Sequence, residues 1–177
     1  MKICIFGAGA IGGYLAVELS LAGHDVCVIA RGEHLAAIAS NGLTLRMAGI
    51  QKTATVRASD DRSRFGSQDY VFCTLKSHQA YIAAPSMLPL LGPNTAIVTA
   101  MNGIPWWYFY KEGSSFEGTH LSSVDPKGLQ WKTIGPERAI GCVVDPACEV
   151  VEPGVIEHHA SSIGSFWVSP IERNRSE

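Results

Sequence analysis

From Lys2 to Arg31 the chain reads KICIFGAGAIGGYLAVELSLAGHDVCVIAR. Lys2 to Phe6 is a short apolar run rich in β-branched and aromatic residues, which predicts a buried strand. A G-x-G-x-x-G turn follows, Gly7-Ala8-Gly9-Ala10-Ile11-Gly12, with a further glycine at Gly13. Tyr14 to Ala22 then predicts a helix, with Ile11, Leu15, Leu19 and Ala22 on one face and Gly23 as its stop. Asp25 to Ile29 is a second buried strand. A glycine motif alone is only a tight turn; between strand and helix, with a second strand after, it predicts a dinucleotide-binding unit.

The glycines have separate tasks in such a turn. Gly7 permits the reversal, Gly9 lets a pyrophosphate reach the backbone, and Gly12 lets helix and strand pack closely. The free N–H groups at the helix start then face the phosphates. The end of the second strand selects the cofactor. An NAD site places Asp or Glu there for the ribose 2′-OH. Here the strand ends Ile29-Ala30-Arg31, and an acid comes only at Glu33. A guanidinium suits a 2′-phosphate, so the expected cofactor is NADP(H). The competing reading makes Arg31 a solvated residue opening the next helix.

At 177 residues the chain is one domain, able to bury roughly 70% of its unfolded surface. Hydrophobic residues make up 46% and charged ones 17%, which suits much buried strand. A formal charge of −2 gives no reason to expect nucleic acid. Cys4, Cys27 and Cys73 fall in expected core strands, and with Cys142 and Cys148 the total is odd, so a reducing cytoplasm is expected. Residues 77–110 hold no Asp, Glu, Lys or Arg, but Pro85, Pro89, Pro93 and Pro105 interrupt any membrane span of about 20 residues. No membrane partner is expected.

Further along, Leu35 to Ser40 predicts a short helix stopped by Asn41-Gly42. Leu43 to Arg46 and Thr53 to Arg57 alternate with period two and predict an inserted hairpin. Tyr70 to Leu75 and Thr95 to Thr99 predict buried strands, with a helix after the first that Gly92-Pro93-Asn94 breaks. Ile104 to Tyr110 reads as helical and Lys111 to Arg138 as irregular, with a turn at Asp125-Pro126-Lys127-Gly128. Ala139 to Val144, Val155 to His159 and Ser165 to Val168 predict three more strands. The class is therefore α/β: a doubly wound, mostly parallel sheet with flanking helices and an added hairpin. In such sheets ligands bind beyond the strands' carboxyl ends, where Lys76 and Asn102 stand. A cation at a helix start is badly placed unless an anion or a polarised carbonyl offsets it, which favours a functional Lys76 over a merely solvated one.

Several pieces together resemble the N-terminal domain of the ketopantoate reductase (2-dehydropantoate 2-reductase) family. They are residues 2–13, Arg31 with Leu35 and Ile38, Asn41-Gly42-Leu43, and Thr74-Leu75-Lys76-Ser77-His78-Gln79. Asn102-Gly103-Ile104-Pro105, Ile140-Gly141-Cys142-Val143-Val144 and Pro153-Gly154-Val155-Ile156 continue them in the family's order. The resemblance implies NADPH-dependent reduction of 2-dehydropantoate to pantoate, on the route to pantothenate and coenzyme A. It implies cofactor contacts at Gly7, Ala8, Gly9, Ala10, Ile11, Gly12 and Arg31, with Lys76 and Asn102 at the nicotinamide end. It also implies Asn102 toward the substrate and a further cofactor contact at Ala147. The family continues into a helical C-terminal domain that supplies the catalytic lysine, the substrate-binding asparagines and a late glutamate. By the resemblance all of these belong beyond Glu177, the last residue of the sequence. Ser169-Pro170-Ile171-Glu172 stands where the family has Gly-Glu-Pro. The expectation is a cofactor domain over residues 1–168, a frayed tail over 169–177, and a truncation or frameshift after about Val168. No catalytic residue is expected between Met1 and Glu177.

Other constellations carry less. Adjacent strand residues face opposite ways, so His158-His159 is no metal pair. Cys142 and Cys148 lack C-x-x-C spacing, and Gly113 to Gly118 is no nucleophile elbow. Trp106-Trp107-Tyr108-Phe109-Tyr110 is either core or an exposed face for a partner domain. Three functions stay open: the ketopantoate-type oxidoreductase, an NADPH-binding module without catalysis, and the cofactor domain of a reductase for another 2-oxoacid. The expected partner is a small 2-oxoacid, with a homo-oligomer or a C-terminal domain also open.

Overall fold

The computed structural model describes residues 1–159 and 165–170. In β1 (Lys2–Phe6), Ile3 and Ile5 belong to one buried cluster and Cys4 and Phe6 to another, as a period of two requires of an inner strand. α1 (Ala10–Leu21) and β2 (Asp25–Ile29) complete the first unit, with β1 and β2 parallel and Phe6 opposite Ile29. α2 (Gly32–Asn41), β3 (Leu43–Met47), β4 (Ile50–Ala54) and β5 (Arg57–Ser59) come next. β6 (Gln68–Cys73), α3 (Ser77–Ala83) and β7 (Leu91–Ala100) follow, a 3-10 segment at Ala84–Leu90 joining the last two. α4 (Leu129–Ile134), β8 (Ala139–Val144), β9 (Cys148–Glu152), β10 (Val155–His158) and β11 (Phe166–Pro170) close the described chain.

The main sheet has the order β11-β8-β7-β6-β1-β2-β5, parallel throughout except where β11 runs against β8. The chain builds outward from β1 to β5, then crosses back to lay β6 on β1's other side. That reversal opens a crevice beyond the carboxyl ends of β1 and β6. The expected doubly wound α/β sheet is present.

The added hairpin belongs to something larger. β3 and β4 join a second sheet of order β4-β3-β10-β9, in which β10 runs parallel to β3. This sheet lies over α1: Tyr14 meets His158 with ring centroids 5.5 Å apart, and Lys52 donates to Glu18 at 2.7 Å. α1 is therefore buried from Gly12 to Val17 all round, whereas the sequence predicts a single apolar face. Gly13 makes the approach possible, since a Cβ there would stand 2.5 Å from Ile156 Cγ1. Gly13→Ala is expected to destabilise the chain by about 1–3 kcal/mol through overpacking. A thermal melt checks this, and an unchanged midpoint would mean that the second sheet floats free of α1.

Other expectations need correction. The expected strand Thr53 to Arg57 is two pieces: Ala54 ends β4 and Arg57 opens β5 on the main sheet. β9 has no signal in the sequence, because four of its five residues are exposed and no alternation marks them. The helical run ends at Leu90, just before Gly92-Pro93-Asn94, but that triplet already lies inside β7, where the register against β6 slips between Gln68 and Tyr70. Ile104 to Tyr110 forms no helix, and its backbone makes short turns, Tyr108 N–H to Pro105 O and Tyr110 N–H to Trp107 O. α4 arises in the stretch expected to be irregular, where buried Asp125 accepts from the Gln130 and Trp131 N–H groups at 2.8 and 3.0 Å. β11 reaches Pro170, two residues past the expected limit at Val168. Ser169 and Pro170 are therefore strand residues paired with Gly141 and Ile140 of β8, not the start of a frayed tail. The rest of the expected tail, Ile171 to Glu177, lies outside the described residues.

Candidate cofactor site

The glycine turn sits at the mouth of the crevice. Gly7 has φ +111°, a conformation that L side chains rarely adopt. A Cβ on Gly12 would collide with the Gly7 carbonyl oxygen, so only glycine lets α1 start this close to β1. Gly9 has open space where a Cβ would be, and it precedes α1 with no side chain capping the helix and no acid in its first turn. Free N–H groups and the positive end of a twelve-residue helix therefore face the cavity. Ala8 is buried and donates its N–H to Ile29 O at 3.0 Å.

Two side chains outside the expected contacts hold this turn. Thr74 Oγ1 donates to Gly7 O at 2.5 Å. His34 accepts the Gly154 N–H at Nδ1, 3.0 Å, which puts its hydrogen on Nε2, 2.7 Å from Ala8 O. His34 thus ties the glycine turn to the turn between β9 and β10. Thr74 opens a piece of the family resemblance that gives it no task, and a histidine in a helix's first turn carries no motif, so topology reveals what both do.

On one side of the turn lies a cavity of about 930 Å³, lined by Gly7, Ala8, Gly9, Arg31, His34 and Arg62, among others. Arg31 precedes α2 with extended backbone and an exposed side chain. Among the described residues it makes no ion pair. On the other side a cavity of about 630 Å³ brings together Gly9, Ala10, Ile11, Lys76, Asn102 and Ala147. Lys76 caps α3 from the end of β6 and is exposed. Asn102 has a structural task as well, with Nδ2 donating to Val144 O at 2.9 Å and Oδ1 accepting its N–H at 2.8 Å. That clasp joins the ends of β7 and β8 and leaves one N–H and one lone pair of the carboxamide for a ligand. His78 and Cys148 line the same cavity, and burial pushes the Cys148 thiol up to about 11. Of the expected contacts, Gly12 alone lines neither cavity, consistent with a packing role. The catalytic lysine that the resemblance puts beyond Glu177 lies outside the described residues.

The set-aside motifs behave as separate pieces. His158 is buried against Tyr14, while His159 is exposed beside Glu149 at 3.2 Å. No metal cluster occurs among the described residues. The aromatic run divides: Trp106 is buried edge-on to Trp131 at 6.2 Å, while Tyr108 is 54% exposed. Among the described residues no helix is long and apolar enough to cross a membrane.

The family model described as ketopantoate reductase PanE/ApbA matches residues 3–107. The chain belongs to the ketopantoate reductase family. The 2-dehydropantoate 2-reductase of Mesorhizobium japonicum is 53% identical over 159 residues, which cover 89% of this chain and 49% of that protein. A crystal structure of a candidate ketopantoate reductase from Ralstonia solanacearum matches with TM-score 0.84 and 43% identity, covering 90% of this chain and 49% of that one. D-mandelate dehydrogenase, solved with NADH and anilino(oxo)acetate, matches with TM-score 0.72 at 21% identity, over 95% of this chain and 47% of that one. That last likeness is one of fold alone. The chain spans about half the length of the ketopantoate reductase relative from M. japonicum.

Proposed function

We propose that this chain is the dinucleotide-binding part of an NADPH-dependent oxidoreductase that reduces 2-dehydropantoate to pantoate in the cytoplasm, on the route to pantothenate and coenzyme A. The observation that carries the reading is the convergence of an uncapped helix N-terminus, an open Gly9 and an unpaired Arg31 on one crevice. These are the features that a pyrophosphate and a 2′-phosphate need. The donor set fits an anionic dinucleotide, with N–H groups at the turn and a guanidinium farther out.

NADPH would supply the hydride, and the chain's residues bind and orient. The N–H groups at the start of α1 take the pyrophosphate charge, and Gly9 keeps the approach clear. Arg31 takes the 2′-phosphate at the far end. Lys76 and Asn102 bound the nicotinamide end, where β6 and β7 finish. Asn102 is held by Val144, and its remaining N–H and lone pair would be the groups offered to cofactor and substrate carbonyl. Ala147 closes the wall beside them.

A crystal structure of the chain with NADPH tests the assignment. The nicotinamide ribose is expected between Lys76 and Asn102, with the adenine ribose beside Arg31. A nicotinamide lying at Arg31, or away from both cavities, would contradict it.

A further inference from the structure

Resting on the NADPH reading above, we infer that Arg62 is a second cationic ligand of the cofactor's 2′-phosphate, acting with Arg31. No sequence motif marks Arg62. It opens a three-residue 3-10 segment between β5 and β6, and the fold brings it into the Arg31 cavity. Its guanidinium carbon lies 5.7 Å from the centroid of the Phe6 ring, at the end of β1. That cation–π contact anchors the group beside the glycine turn.

The guanidinium is underused. Nη1 donates to Asp60 O at 2.7 Å, and Nε is buried with no partner among the described residues. Neither Arg62 nor Arg31 forms an ion pair among those residues. The acids nearby are engaged or apart: Asp61 accepts from Ser63 N–H at 3.0 Å, and Glu152 pairs with Arg46 at 3.0 Å. Glu33 lines the cavity and pairs with neither arginine. Nη2 makes no hydrogen bond among the described residues, and it is this nitrogen, not the enclosed Nε, that a ligand anion in the cavity would complete. A phosphate monoester carries a charge of about −1.5 to −2 at neutral pH, which one guanidinium cannot balance. Two can. NADH lacks that group, so Arg62 acts on cofactor choice.

Calorimetric titration of the 177-residue chain with NADPH, NADH, adenosine 2′,5′-bisphosphate and 5′-AMP isolates the 2′-phosphate. Arg62→Ala is expected to weaken NADPH and the bisphosphate by about tenfold and to leave NADH and 5′-AMP within about twofold. Arg62→Lys is expected to fall between parent and Arg62→Ala, and Arg62→Gln guards against a folding artefact, with thermal melts on all three. Equal weakening of all four ligands by folded variants would make Arg62 an adenosine or scaffold contact, and no change would remove it from the site; either overturns the inference. Should the unmutated chain bind NADH as well as NADPH, the underlying cofactor reading fails first and this inference with it. A clear NADPH preference that ignores Arg62 would overturn this inference alone.

Discussion

The 177-residue chain, given NADPH and 2-dehydropantoate, is expected to oxidise NADPH at least about 10²–10⁴-fold more slowly than a full-length relative assayed beside it. Carbonyl reduction needs a proton donor in hydrogen-bond reach of the nascent alkoxide and groups that hold the substrate still. Lys76, His78 and Cys148 line the cavity at the nicotinamide end. Among the described residues Lys76 and His78 have no side-chain hydrogen bond to orient them, and burial pushes the Cys148 thiol up to about 11, a weak acid near neutral pH. Lys111, Lys127 and Lys132 lie between β7 and β8, away from that cavity's lining. The family resemblance gives the catalytic lysine to the C-terminal domain and Lys76 to the cofactor. The assay follows absorbance at 340 nm. Turnover matching the relative would make Lys76 or His78 the proton donor and would contradict the division of labour proposed here.

Arg31→Ala is expected to weaken NADPH binding by about tenfold to a hundredfold, the loss of roughly 1.5–3 kcal/mol in charge-assisted hydrogen bonds. NADH binding is expected to stay within about twofold, because the ribose 2′-OH offers a guanidinium no charge to pair with. Arg31 has no ion pair to lose among the described residues, so the substitution acts on ligand affinity and spares the fold. Nicotinamide fluorescence follows both titrations. An NADPH affinity that survives the change would assign the 2′-phosphate elsewhere.

The sequence carries the first unit almost residue by residue. Lys2 to Phe6 and Asp25 to Ile29 match β1 and β2 because both are fully inside the sheet and bounded by glycine or polar residues. Legibility falls where long-range pairing decides. β9 is an exposed edge strand, and only β10 beside it makes it a strand. Gly13 reads as a spare glycine until the second sheet places Ile156 against it. α4 is short and depends on Asp125, four residues ahead of its first residue, for its N-terminal hydrogen bonds. Ile104 to Tyr110 is made of proline and weak helix formers, and packing of Trp106 and Tyr110 around Trp131 favours turns.

The site shows the same division. Gly7, Gly9, Gly12 and Arg31 are set by local chain geometry, and a motif records them. Lys76, Asn102 and Ala147 come from three separate strand ends, so their meeting in one cavity depends on strand order. Family resemblance supplies these three; periodicity alone places only Lys76 and Asn102 at strand ends. His34 and Arg62 have no local signal, and Thr74 has only a place in a family piece that gives it no task. Their contacts rest on a strand crossing or a second sheet that brings a distant backbone, or for Arg62 the Phe6 ring, within reach.

Calorimetric titration of the unmutated chain with NADPH and NADH, side by side at one ionic strength, tests the central claim most directly. The account predicts saturable binding of one cofactor per chain, with NADPH about tenfold to a hundredfold tighter than NADH. No heat from either nucleotide, or equal affinity for both, would contradict it.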